Sequence, residues 1–129
     1  MAAKDVLGRR GEEIAARALT ADGYRVIDRN WRCSLGEIDI VAVDGGRGGG
    51  GDGGDAGEIV FVEVKTRSSV AFGHPFEAIT TRKLARVRRL AAAWCAEHPG
   101  DHRRIRIDAI AIVAPPHGPP QIDHLRRVF

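Results

Sequence analysis

The spacing of apolar and polar positions changes several times along the chain, and each change marks an element. From about Asp5 to Ala21, Leu7, Gly11, Ile14, Ala15 and Ala18 recur at helical spacing and share one face of a helix. Asp22-Gly23 supplies its stop. Tyr24 to Arg32 alternates loosely and Gly36 to Val43 (GEIDIVAV) alternates cleanly, so both read as strands. A polar glycine tract from Asp44 to Gly57 follows, and then a third strand, IVFVEVKTR, ending at Arg67. A loop with Gly73 and Pro75 leads to a long basic helix from about Glu77 to Glu97, stopped by His98-Pro99-Gly100. Arg104 to Val113 is a further strand, Pro115 to Pro120 a proline-rich turn, and Gln121 to Phe129 a short closing strand.

This order, helix, three strands, helix, strand, predicts an α/β fold with a mixed β-sheet flanked by helices. Short links favour antiparallel pairing of the first three strands, and the strand–helix–strand unit favours a right-handed parallel crossover. At 129 residues the chain is read as a single domain, 1–129. The tract at about 44–57 is too polar to pack and reads as a flexible hairpin insertion. It lacks the lysine–serine/threonine ending of a phosphate-binding loop. No apolar run approaches the roughly 20 residues a membrane span needs, and the N-terminus is already a polar amphipathic helix. A cytoplasmic protein with reduced thiols at Cys33 and Cys95 is therefore expected. The spacing Cys95-x-x-His98-x-x-x-His102 is broken by Pro99-Gly100 and lacks a fourth ligand, so no zinc site is expected.

The third strand poses the chemical question, because Glu63 and Lys65 interrupt an otherwise apolar run. Burying charge is costly unless it is paired or holds a metal. Residues two apart in a strand share a face. Phe61, Glu63 and Lys65 then point one way, and Val60, Val62, Val64 and Thr66 the other. In the preceding strand Glu37, Asp39 and Val41 share a face opposite Ile38, Ile40 and Ala42. If the two strands form a hairpin, Asp39 and Glu63 approach on one face. Two carboxylates held together raise a pKa or recruit a cation, and hard divalent ions such as Mg²⁺ suit carboxylate, carbonyl and water ligands. Lys65 would then orient a water or stabilise charge on a phosphate. The same pattern also fits a half-exposed sheet with a cross-strand ion pair, and the glycine tract leaves the register open.

Formal net charge is +3, and arginine crowds the second half of the chain. On the long helix Leu84, Val87, Ala91 and Trp94 make an apolar stripe, and Arg82, Arg86 and Arg89 gather opposite it. That is either a solvated face or a phosphate-binding one. Lys83 falls close to the stripe, where it either snorkels or reaches the site to hold a phosphate. Arg67 lies just beyond Lys65, within reach of a nucleic-acid backbone. Trp31 offers a stacking surface but reads first as a packing residue.

Gly36-Glu37-Ile38-Asp39 followed by Glu63-Val64-Lys65 resembles the active-site core of the restriction-endonuclease-like, or PD-(D/E)XK, nuclease superfamily. Nearly the whole chain is similar to the bacterial YraN family, through Gly8-Arg9-Arg10-Gly11-Glu12, Asn30-Trp31-Arg32, GEIDI, FVEVKTR, RIRIDAIAIV and HLRRVF. The resemblance implies a restriction-endonuclease-like fold. It makes Asp39 and Glu63 metal-binding carboxylates, the Val64 backbone carbonyl a further ligand, and Lys65 the catalytic lysine. A glutamate from the first helix matches Glu12. Helix geometry agrees, since Glu12 lies about 100° from the centre of the apolar face and Glu13 about 160°. The implied activity is Mg²⁺- or Mn²⁺-dependent hydrolysis of DNA phosphodiester bonds, on branched or single-stranded DNA, leaving a 5′ phosphate. By analogy with junction-cutting nucleases a homodimer is expected. Two other classes fit the same residues: a non-catalytic nucleic-acid-binding module, and a partner protein within a DNA-processing complex.

Overall fold

The computed structural model describes residues 3–45, 57–71, 73–100 and 104–129. The glycine-rich insertion expected at about 44–57 lies mostly outside the described residues, as does His102. The elements run α1 (Ala3–Ala21), β1 (Tyr24–Cys33), β2 (Gly36–Asp44), β3 (Glu58–Arg67), a 3-10 turn (Pro75–Ala78), α2 (Thr81–Glu97), β4 (Ile105–Val113) and β5 (Gln121–Leu125). Among the described residues the strands form one mixed sheet in the order β1-β2-β3-β4-β5. β1, β2 and β3 pair antiparallel, β3 and β4 parallel across α2, and β4 and β5 antiparallel.

Each face of the sheet is covered by one helix. Ala15, Ala16 and Leu19 of α1 pack on Ile40, Ala42, Val60, Val62, Ile110 and Ile112. Leu84, Val87, Leu90, Ala91 and Trp94 of α2 pack on Ile38, Val41, Ile59, Phe61 and Ile107. Coverage on both sides explains the unbroken buried run Ile59–Val62 at the start of β3. This mixed sheet between two helices is the arrangement the element order predicts, and it is consistent with the restriction-endonuclease-like fold that the resemblance implies.

Two boundaries differ from the sequence expectation. The basic helix begins at Thr81 rather than near Glu77. Pro75 opens a separate 3-10 turn, Ile79 is extended, and Thr80 caps α2 by accepting the Lys83 N–H on its side-chain oxygen at 3.2 Å. The closing strand ends at Leu125 rather than at Phe129. Arg127 adopts φ 53°, and its N–H turns inward to Asp108 Oδ1 at 3.0 Å.

Asp108 is fully buried, so its partners matter. Arg106 donates to both of its oxygens from Nε and Nη2, at 2.9 and 3.0 Å, and His124 Nε2 lies 2.7 Å from Oδ2. Arg106 also bonds Asp44 and the Tyr24 hydroxyl. These bonds satisfy charges that would otherwise be very costly inside a sheet. They tie the C-terminal segment and the start of β1 to the end of the sheet that bears the glycine tract, away from Asp39 and Glu63.

Candidate functional site

The β2–β3 ladder runs from Asp44 opposite Glu58 to Ile40 opposite Val62, and stops there. The same register would next set Asp39 opposite Glu63. Instead the Asp39 carboxylate enters the gap between the strands, and Oδ2 accepts the Val64 N–H at 2.8 Å. In an extended strand a residue's N–H and C=O project toward the same neighbour. The Val64 carbonyl therefore opens on this gap as well.

Strict alternation does not hold along β2. Ile38 and Val41 both pack on the α2 side, whereas Ile40 and Ala42 pack on the α1 side. Alternation thus breaks at Asp39. It also breaks across the strand pair in β1. Asp28 accepts from Trp94 and Trp31 packs on the α2 side, whereas Arg29 bonds Glu13 of α1. The β1–β2 register matches Arg29 with Ile40 and Trp31 with Ile38, and it skips Asn30 and Asp39. Asn30 has φ 53°, a left-handed conformation that turns the chain at this point.

Gly11 brings the first helix to the site. A Cβ at this buried position would fall 1.7 Å from Thr66 Oγ1 and 2.7 Å from Thr66 Cβ, so only glycine lets α1 sit this close to β3. Glu12 follows it, half-buried, while Glu13 is exposed and pairs with Arg17 and Arg29. From the other face α2 contributes Lys83 and Arg86, both exposed, with the Arg86 side chain passing over Gly36.

Like charge is concentrated here. Asp39 is pushed up to about 8, first by burial and then by the Glu63 charge. The Val64 N–H pulls the other way, and Glu12 and Glu37 add to the rise. Burial also raises Glu63, against the pull of Lys83, Lys65 and Arg86, with Glu12 pushing upward. Glu12 is raised by burial and by Glu37, against Arg29, Asn30 and Arg9. The Asp39 carboxyl thus sits within the fields of Glu63, Glu12 and Glu37 at the end of the β2–β3 ladder. A polar cleft of about 360 Å³ opens beside them, lined by Arg9, Glu12, Asn30, Arg32 and Glu37 among others.

Of the residues singled out in the sequence, Glu12, Asp39, Glu63, Val64 and Lys65 come together, and Lys83 and Arg86 reach them from α2. Lys83 is the strongest cationic influence on Glu63, ahead of Lys65, which favours the reaching alternative over snorkelling. Arg82 and Arg89 are exposed on α2. Arg67 is half-buried, and its buried Nε has no hydrogen-bond partner among the described residues. Trp31 packs on the α2-side cluster, edge-on to His98 with ring centroids 6.4 Å apart. His98 stacks flat on Trp94 and is engaged with the Trp94 carbonyl. Glu37 was not among the residues expected to carry function. Its signal in the sequence was its position two residues before Asp39.

Among the described residues no group of three or more His, Cys, Asp or Glu side chains stands ready to enclose a metal ion. Two carboxylates and a carbonyl still fit an ion that keeps most of its waters, as Mg²⁺ does. No helix among the described residues is long and apolar enough to cross a membrane.

Relatives match this chain along nearly its whole length. A UPF0102 protein from Arthrobacter sp. (strain FB24) is 52% identical over 128 residues, covering 99% of each chain. One from Beutenbergia cavernae is also 52% identical over 128 residues, with 99% of each chain covered. One from Frankia alni is 49% identical over 129 residues, covering 100% of this chain and 98% of the relative. Residues 11–112 match the profile of a family described as uncharacterised protein family UPF0102, which is the YraN family. That stretch takes in the glycine that seats α1, the Asp39 gap and the Glu63–Lys65 strand, and with these relatives it makes the chain a member of the UPF0102 family.

Proposed function

We propose that this protein is a metal-dependent nuclease that hydrolyses DNA phosphodiester bonds. The observation that carries the proposal is the broken ladder. Asp39 gives up its place opposite Glu63 and turns its carboxylate into the gap, at the cost of a carboxyl pushed up to about 8. A sheet stabilised for its own sake would not hold a buried Asp39 within the fields of three other acids. A cation bound between Asp39, Glu63 and the Val64 carbonyl relieves that repulsion. Mg²⁺, or Mn²⁺ in its place, would polarise the scissile phosphodiester and lower the pKa of a coordinated water.

The chain's own groups have distinct tasks in this reading. Asp39 and Glu63 would hold the ion, and the Val64 N–H fixes the rotamer of Asp39. Lys65, on the same strand face as Glu63, stands beside the attacking water and the phosphate, where it orients the one and offsets charge building on the other. Glu12 borders the site from α1, where it would accept from water bound at the ion. Lys83 and Arg86 hold the phosphate from α2. Arg67, Arg82 and Arg89 extend contact along the nucleic-acid backbone, giving salt-dependent binding.

The test is cleavage of labelled single-stranded, duplex, flapped and four-way-junction DNA with Mg²⁺, Mn²⁺ or EDTA. Cutting that needs the metal supports the reading, and the preferred strand arrangement names the substrate. Salt-sensitive binding without cutting under any metal overturns it in favour of a binding module. Neither cutting nor binding leaves a role as a protein partner in DNA processing.

A further inference from the structure

Asn30 sits in the left-handed region at φ 53°, one of two non-glycine residues with positive φ among the described residues. The other, Arg127, has its N–H anchored on buried Asp108. Asn30 is exposed. What that conformation accomplishes is placement. Arg29 and Asn30, adjacent in β1, both direct side chains toward α1: Arg29 to Glu13 and Asn30 to Glu12. With its nitrogen toward the acids, the Asn30 amide donates to Glu12 and to Glu37, in each case at 2.9 Å. The opposite orientation would set its oxygen against two carboxylates. The residue it would face across the strand pair is Asp39, the pair the β1–β2 ladder skips.

We propose that Asn30 is a positioning residue, whose amide clasps Glu12 of α1 to Glu37 of β2 and so holds the Glu12 carboxylate at the edge of the Asp39–Glu63 gap. The inference rests on the proposed nuclease site for its functional meaning, and its geometry is independent of that reading. A neutral double donor suits the task. An arginine here would neutralise the acids and compete with a cation, and an aspartate would add a fifth negative charge. An amide links two carboxylates while leaving their charge available to the site. Asparagine also tolerates the left-handed backbone better than most residues. Glycine tolerates it better still, so Asn30→Gly removes the amide without straining the chain.

Two measurements on the full chain test this. The first needs neither metal nor DNA. Asn30 is the chain's single asparagine, and in the ¹⁵N–¹H spectrum its two side-chain amide protons are expected to resonate away from the position of a free, solvated asparagine amide. Glu12→Gln should move one signal and Glu37→Gln the other. Signals that ignore both substitutions overturn the proposal, whether or not the protein cuts DNA. The second is a double-mutant cycle on metal-dependent cleavage. Asn30→Gly should lower kcat about tenfold with little change in KM, and it should have no further effect in a Glu12→Gln background. An equal loss in that background would mean that Asn30 does not act through Glu12, and would overturn the proposal. Absence of cutting by the wild type sinks the nuclease reading instead, and leaves the amide signals to decide whether the clasp exists.

Discussion

Replacing Asp39 by asparagine should make this protein more stable at neutral pH while destroying the site. The carboxyl is pushed from an ordinary 3.8 to about 8 by burial and by the Glu63, Glu12 and Glu37 charges. A folded-state pKa above the unfolded one means that the folded form disfavours the ionised group. From this residue, stability is therefore greatest below about pH 4, falls as pH rises toward 8, and is level beyond. At about 1.4 kcal/mol per pH unit, the burden at pH 7 is about 4 kcal/mol. Asparagine matches the shape and keeps an oxygen to accept the Val64 N–H. Its amide must still be buried, and the remaining acids share part of the repulsion, so about 1–3 kcal/mol should be recovered. Urea unfolding of metal-free wild type and Asp39→Asn, at steps from pH 4 to pH 8, measures this. The two curves should converge near pH 4 and separate steadily above it, with the variant the more stable. If the wild type binds Mg²⁺ through Asp39, added Mg²⁺ should raise its midpoint and leave the variant nearly unmoved. A variant less stable than the wild type at pH 7, or a difference independent of pH, would refute the reasoning. Asp39 would then be a structural acid satisfied by its hydrogen bond.

Three further outcomes follow from the same geometry. Gly11→Ala gains about 1 kcal/mol of helix propensity but drives its Cβ into Thr66, whose own Cβ lies 2.7 Å away and cannot rotate aside. A net loss of about 1–2 kcal/mol is expected, with recovery on adding Thr66→Gly; an unchanged thermal midpoint for the single variant would contradict the close approach. Lys83→Ala and Arg86→Ala should each weaken DNA binding and reduce the slope of log K against log salt by about 1, with folding intact because both side chains are exposed; a fluorescence-anisotropy salt titration reads this. Asp108→Ala should destabilise by about 3 kcal/mol, because it takes from buried Arg106 its two-pronged carboxylate partner and leaves it with Asp44 and the Tyr24 hydroxyl. Burial raises the Asp108 carboxyl, but bonds from His124, Arg106 and the Arg127 N–H outweigh it and hold the group below its ordinary value. This stabilisation is therefore present above the ordinary carboxylate range and lost on acidification, the reverse of Asp39, and urea midpoints at pH 7 and pH 3 separate the two.

Much of this site is written in local pattern. Glu63 and Lys65 announce themselves as charges in an apolar strand, and Glu12 by its place at the edge of a helical seam. The sheet order follows from link lengths and from the helix between β3 and β4. What strict alternation misplaces is Ile38, which joins the α2 side because β1 and β2 distort together at Asn30 and Asp39. A period-two reading carries no sign of a left-handed asparagine, and an asparagine before tryptophan looks like an ordinary turn residue. The clash that reserves position 11 for glycine is equally invisible, since its partner, Thr66, is distant in sequence. Lys83 was ambiguous because a helical wheel shows angle and not reach. The charge network around Asp108 depends on β5 and the tail returning to β4, which no local signal foretells.

The central claim is that Glu63 and Lys65 interrupt their strand to face a metal and a phosphate. Its most direct test is single-turnover cleavage of the preferred DNA in Mg²⁺ by the wild type and by Lys65→Ala, with the thermal midpoint of each recorded on the same sample. Cutting by the variant should fall by at least about a hundredfold while the midpoint moves by no more than a few degrees. A variant that cuts as well as the wild type, or one that loses its fold with no metal-dependent cutting to lose, would contradict the claim and make Lys65 a structural charge.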